Sequence, residues 1–167
     1  MSETCESPIE TEMLFHLRTQ CWIPFEIVEG KSCNDLWKMA AEDHELKRLF
    51  IAPQCTFKRW RIDFVLARHK TWQISSMLAV ECDGHEFHRA TQDQIDRDIA
   101  RDAVLRKRMI TPMRFSGGRI MKSGIWCARE ALVEIIGEKR DVFSREARIA
   151  RREGAHGELV DTGEWLE

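Results

Sequence analysis

Apolar residues recur at helical spacing near the start of the chain. Ile9, Met13, Leu14, Leu17 and Cys21 share one face, which predicts a helix over residues 7–21. Ser7 as N-cap, Pro8 at the first helical position and Glu10 three residues after the cap mark its start. A second helix is predicted from Asn34 to Leu49, after the Gly30-Lys31-Ser32 break, with Leu36, Met39, Leu46 and Leu49 as an uneven apolar face. The period changes at Pro53. Phe57–Arg68 reads as a strand in which Trp60, Ile62, Phe64 and Leu66 alternate with Arg61, Asp63 and Val65. A short strand over Cys55–Lys58 can be counted apart from it. His69-Lys70-Thr71 suits a turn into a second strand, Gln73–Asp83, whose run Met77-Leu78-Ala79-Val80 suits burial on both faces.

Beyond Gly84 the pattern is helical again. Thr91–Met109 predicts a long charged helix with a narrow apolar stripe through Ile95, Ile99, Ala103 and Leu105. Ile110–Phe115 predicts a short strand, Ser116-Gly117-Gly118 a turn, and Ile120–Ile136 a helix broken near Gly124, with Ile125, Leu132, Ile135 and Ile136 for burial. From Gly137 the chain is charged and poor in apolar residues, so residues 138–167 are expected to form an exposed helix and tail. The order predicts an α/β fold: a central mixed β-sheet flanked by helices, in one domain over residues 7–137.

Composition narrows the class. The chain has 167 residues, 43% hydrophobic and 32% charged, which suits one globular domain and excludes a disordered chain. No apolar run approaches the roughly 20 residues of a membrane span. The acidic start Met1–Glu6 lacks the basic and apolar regions of a secretory signal, so a cytoplasmic protein with no membrane partner is expected. Net charge is −2, which neither announces nor forbids a nucleic-acid partner, because a local basic face is what matters. Six cysteines are scattered without a Cys-x-x-Cys pair, which reads as reduced thiols.

Candidate chemistry sits in two strands. Asp63 lies inside an apolar strand, and Glu81 and Asp83 end another. A charge in such a setting is costly unless paired or metal-bound. Glu81 and Asp83 are two apart, so a strand points both to one face, and Asp63 joins them if the strands are neighbours. Three converging carboxylates repel, and a raised pKa or a hard divalent cation, magnesium or manganese, relieves them. His85 and His88 follow at once and suit a general base, a ligand or a proton donor. A zinc set of Cys82, His85 and His88 is the weaker reading, because a strand aims Cys82 away from Asp83.

These residues carry a resemblance. Pro53-Gln54, Arg61-x-Asp63-Phe64, Glu81-Cys82-Asp83-Gly84-His85-x-Phe87-His88, Asp98, Arg101, Asp102, Leu105 and Arg114-Phe115-Ser116-Gly117 together resemble a restriction-endonuclease-like domain of the PD-(D/E)XK superfamily. The pattern is similar to small bacterial endonuclease-domain proteins related to the very-short-patch repair endonuclease, over residues 7–120, including the Ser7-Pro8-Ile9-Glu10 start. The resemblance implies a restriction-endonuclease-like fold and a magnesium-dependent endodeoxyribonuclease, nicking or cutting both strands. It implies that Asp63 and Glu81 bind the metal, that His88 or His85 handles the water proton, and that Glu10 faces the same cluster. The superfamily lysine falls on Asp83 here, so the usual cation is missing from water activation.

Candidate phosphate contacts are Lys58, Arg59 and Arg61 beside the first strand, with Arg89 and Arg101 near the charged helix. The helix also carries Asp93–Arg97, Asp98–Arg101 and Asp102–Arg106 spacings that predict surface ion pairs, and Arg101 and Asp102 suit a bracing role equally. Arg145, Arg148, Arg151 and Arg152 form a second basic stripe, and Trp60 and Trp72 suit stacking or core packing. The expected partner is DNA, with RNA not excluded and a homodimer possible for double-strand cutting. Two other classes stay open: a catalytically weakened nucleic-acid-binding module, and a protein-interaction domain.

Overall fold

The computed structural model describes residues 5–45, 47–71, 74–83 and 91–137. Helix α1 spans Pro8–Gln20, and the Ser7 side chain accepts from the Glu10 N–H as its N-cap. Strand β1 (Phe25–Ile27) follows, then helix α2 (Cys33–Glu42), opened by a capping box between Ser32 and Asp35. Strands β2 (Leu49–Phe57), β3 (Trp60–Thr71) and β4 (Ile74–Asp83) form an antiparallel meander. Helix α3 (Gln92–Lys107) starts on a Thr91–Gln94 capping box and leads to strand β5 (Ile110–Ser116), which pairs parallel with β4. Helix α4 (Gly117–Ile136) closes the described chain.

The result is a five-stranded mixed sheet in the order β1-β2-β3-β4-β5, with β1 parallel to β2. Two apolar layers cover it. Leu49, Ile51, Phe64, Leu66, Leu78 and Val80 pack with Met13 and Leu17 of α1 and Leu132 and Ile135 of α4. Phe50, Ala52, Val65, Ala67, Met77 and Ala79 pack with Leu36 of α2 and Leu105 of α3. Consecutive residues of β2, β3 and β4 thus serve opposite layers, and the strands read as continuous apolar runs because both faces are buried. Val65, which the sequence pattern grouped with the polar positions, is fully buried for this reason.

Several boundaries differ from the sequence reading. The second helix ends at Glu42, not Leu49. Asp43 ends it with a side chain that accepts from the Arg48 N–H at 2.6 Å and from Arg48 Nε at 3.3 Å, turning the chain into β2. The strand expected over Cys55–Lys58 is the end of β2, and β1 went unread because three residues carry no period. His69-Lys70-Thr71 continues β3 rather than turning. Ser116 is the N-cap of α4, so Gly117 and Gly118 open a helix instead of forming a free turn. The expected break near Gly124 is present at Ser123, whose φ of −149° and ψ of 37° are not helical. Ile95, Ile99 and Ala103 of α3 are exposed, as is Ile125 of α4, because those faces meet no described element. Residues 138–167, with their basic stripe, and Trp72 lie outside the described residues. Among the described residues no helix is long and apolar enough to cross a membrane.

Candidate active site

The layer pattern breaks at one place. In β2, Phe50 and Ala52 serve the α2–α3 layer, and so do Cys55 and Phe57, which are out of phase with them. In β3, Ile62 and Val65 share that layer although Phe64 between them faces the other. Both irregularities fall where Gln54 stands opposite Asp63, between the pairs Pro53↔Phe64 and Cys55↔Ile62. Gln54 has a φ of 51°, an uncommon conformation for a residue with a side chain. A strand that loses its pleat in this way re-aims the side chains beside it.

Asp63 and Glu81 meet at this break. The last described β3–β4 pair here is Phe64↔Val80, and one step further along the same register sets Asp63 beside Glu81. Asp63 Oδ2 accepts from the Cys82 N–H at 2.7 Å, so the end of β4 holds that carboxylate by its backbone. Burial pushes the Asp63 carboxyl up from its ordinary range; the Cys82 hydrogen bond opposes this, and Glu10 and Asp83 add to it. Glu81 is buried, and burial pushes it up to about 7 against the pull of Arg101. Asp83 is raised by burial too, with Arg114 the main opposing charge. The Cys82 thiol between them is raised by burial and then by Asp63, Glu10, Glu81 and Asp83. That common electrostatic influence makes these four carboxylates one neighbourhood.

Glu10 reaches it from α1. Its Oε2 accepts from Gln54 Nε2 at 2.6 Å and from the Glu6 N–H at 2.9 Å, and its Oε1 accepts from Ser7 Oγ at 2.9 Å. The capping residue is therefore also the link from α1 to the break in β2.

Two arginines brace the other side. Arg101 of α3 ion-pairs with Glu81, and its Nη2 also reaches the Arg61 carbonyl at 3.5 Å. Arg114, paired in register with Glu81, binds Asp102 through both terminal nitrogens at 3.1 and 2.9 Å and stands 3.9 Å from Asp98. Arg101, Asp102 and Asp98 thus make tertiary pairs, where the sequence reading gave them helical partners. Arg97 stays within α3, its Nε donating to the Asp93 carbonyl at 3.0 Å rather than to the Asp93 carboxylate. The bracing reading of Arg101 and Asp102 is the one the geometry favours. No local signal in the sequence announces the partners of Arg114 and Gln54.

Lys58 and Arg59 form the turn between β2 and β3, flanked by the Phe57↔Trp60 pair. Lys58 adopts a φ of 54° there. Arg59 lies over the Trp60 ring at 5.4 Å, and Trp60 stacks on Phe57 at 6.0 Å. Arg61 pairs with Glu6 through both ends of its guanidinium. His85, His88 and Arg89 lie outside the described residues. Among the described residues no three His, Cys, Asp or Glu side chains stand close enough together to hold a metal ion. Asp63 and Glu81 still suit a hard cation by charge and donor type, because each is a carboxylate buried against like charge. No protein-family model, curated protein or solved structure matches the chain.

Proposed function

We propose that this chain is a divalent-cation-dependent nuclease that hydrolyses phosphodiester bonds of DNA. The observation that carries the reading is that Asp63 and Glu81, on neighbouring strands, are both raised by burial, with the Asp63 charge adding to the rise at Glu81. The resemblance to restriction-endonuclease-like domains supports it, and so does the mixed sheet with both residues on adjacent central strands. Asp63 and Glu81 would hold magnesium, or manganese in its place.

A bound divalent cation neutralises phosphate oxygens and lowers the pKa of a water. The chain's own residues supply the rest. The Cys82 N–H fixes Asp63 Oδ2. Arg101 fixes Glu81 Oε1. Asp83 stands where the superfamily lysine would, and the resemblance would assign the water proton to His88 or His85. Lys58 and Arg59 at the β2–β3 turn are suited to a phosphate backbone; Arg61 engages it only by releasing Glu6.

The Arg101–Glu81 ion pair favours a second reading, a binding module of the same fold without cleavage, because a cation would compete with Arg101 for that carboxylate. One experiment separates the two. Supercoiled DNA, single-stranded DNA and RNA are incubated with magnesium, manganese or EDTA, wild type beside Asp63→Ala. Metal-dependent cleavage lost in the variant supports the nuclease. Binding at low salt without cleavage in either metal supports the binding module, and no binding at all leaves a protein-interaction domain. Nicked rather than linear product would point to a monomer; linear product would point to paired copies.

A further inference from the structure

Cys33 and Cys55 are 22 positions apart in sequence, yet their Sγ atoms lie 3.7 Å apart in a hydrogen bond. Cys33 is the first residue of α2 and Cys55 lies near the end of β2, and both are buried in the layer that holds Leu36, Phe57 and Ile62. The backbones already meet here: Ser32 bridges Thr56, and the Thr56 N–H donates to the Lys31 carbonyl at 3.4 Å. A disulfide needs sulfurs about 2.05 Å apart. Closure therefore draws the two sulfurs together by roughly 1.7 Å between elements that are neighbours before it.

The two thiols are not equivalent. The hydrogen bond with Cys55 holds the Cys33 thiol below its ordinary range, against the effect of burial. The same hydrogen bond, with burial, pushes Cys55 up. Asn34 and Asp35 beside Cys33 are exposed, so a small oxidant meets Cys33 on opening a single helical turn.

We propose that Cys33 and Cys55 are a redox modification site that a hydroperoxide closes to a disulfide. The Cys33 thiolate attacks one peroxide oxygen, the O–O bond breaks, and hydroxide or alkoxide leaves. Cys33 becomes a sulfenic acid, oxidised by two electrons while the peroxide is reduced by two. Cys55 then attacks the Cys33 sulfur, its proton passing to the departing hydroxide. The S–S bond forms, the S–O bond breaks and water leaves. Cys55 follows Gln54, so the modification sits one residue from the amide that holds Glu10.

The test uses the full chain, treated with hydrogen peroxide and then unfolded in an alkylating agent. The expected result is a chain carrying two alkyl groups fewer than the untreated chain, and a proteolytic peptide pair joined through Cys33 and Cys55, both reversed by dithiothreitol before alkylation. In Cys55→Ser, which has no resolving thiol, dimedone is expected to label Cys33. Both residues recovered as alkylated free thiols, under peroxide that oxidises Cys21 or Cys82, would overturn the proposal. A dimedone label on Cys55 in Cys33→Ser, with none on Cys33 in Cys55→Ser, would overturn the assigned order. The wild-type peptide map decides the site even if a variant fails to fold.

Discussion

Gln54 Nε2 lies 2.6 Å from Glu10 Oε2, and this bond ties the first turn of α1 to the break in β2. The Glu10 carboxylate also accepts from the Glu6 N–H and Ser7 Oγ. One buried side chain thus caps a helix and fixes the strand segment that faces Asp63. Glu10→Ala leaves the Gln54 amide and the Glu6 N–H without their acceptor, at a cost of about 1–3 kcal/mol. Urea unfolding of the variant should show a lower midpoint with an unchanged slope. An unshifted midpoint would mean that Glu10 serves only a ligand.

The Glu81 carboxyl is raised by burial from 4.5 to about 7, so its proton is held more tightly in the folded chain than in the unfolded one. Between those two values the folded state binds more protons, and stability falls as pH rises, levelling off above about 7. The loss attributable to Glu81 alone is up to about 3 kcal/mol. Asp63 and Asp83, also raised, act in the same direction. Unfolding midpoints across this range should decline for wild type and flatten for Glu81→Gln. A cation competes with the proton for the same oxygens, so magnesium titrated calorimetrically should bind more tightly above pH 7 than below it. Affinity independent of pH would remove Glu81 from the proposed ligand set.

Among the described residues Arg101 supplies the guanidinium paired with Glu81, and both side chains are largely buried. Arg101→Met leaves Glu81 buried without its partner, at a cost of about 3 kcal/mol. Adding Glu81→Gln should recover a large part of that loss, because the uncompensated charge goes with it. Equal stability of the single and double variants would show that Arg101 acts by packing alone.

The parts of this site differ in how plainly the sequence carried them. Asp63 stood out as a charge inside an apolar strand and Glu81 as an acid two residues from Asp83 at the end of another, while Ser7-Pro8 announced the capping role of Glu10 and only the family resemblance set it at the cluster. Gln54 was not readable: nothing local says that a glutamine will take a φ of 51°. Arg114 and Asp102 found each other across α3 and β5, while helical spacing offered Asp102 the nearer Arg106. Leu49-Phe50-Ile51-Ala52 fits a buried strand or the end of a helix equally well by its apolar run, and the side chain of Asp43 decides between them. The Cys33–Cys55 contact depends on α2 lying against β2, a tertiary fact with no signature in a spacing of 22.

At Gly124, α4 passes close to His16 of α1. A Cβ built there would stand 2.3 Å from His16 Cδ2 and 2.7 Å from His16 Nε2. His16 has little room to yield, since its side chain is 12% exposed and its Nε2 is engaged with Glu12 at 2.9 Å. Alanine in place of glycine favours a helix by about 1 kcal/mol. Overpacking of this kind costs about 1–3 kcal/mol before that gain. Gly124→Ala should therefore lower stability on balance, whereas His16→Ala in the same chain removes the obstacle. Chemical denaturation of both single variants and the double variant tests this as a cycle. The double variant should be more stable than the sum of the singles predicts by at least about 1 kcal/mol. Additivity would mean that α1 and α4 move apart freely, and that the packing of His16 into the Ser123 break does not set their spacing.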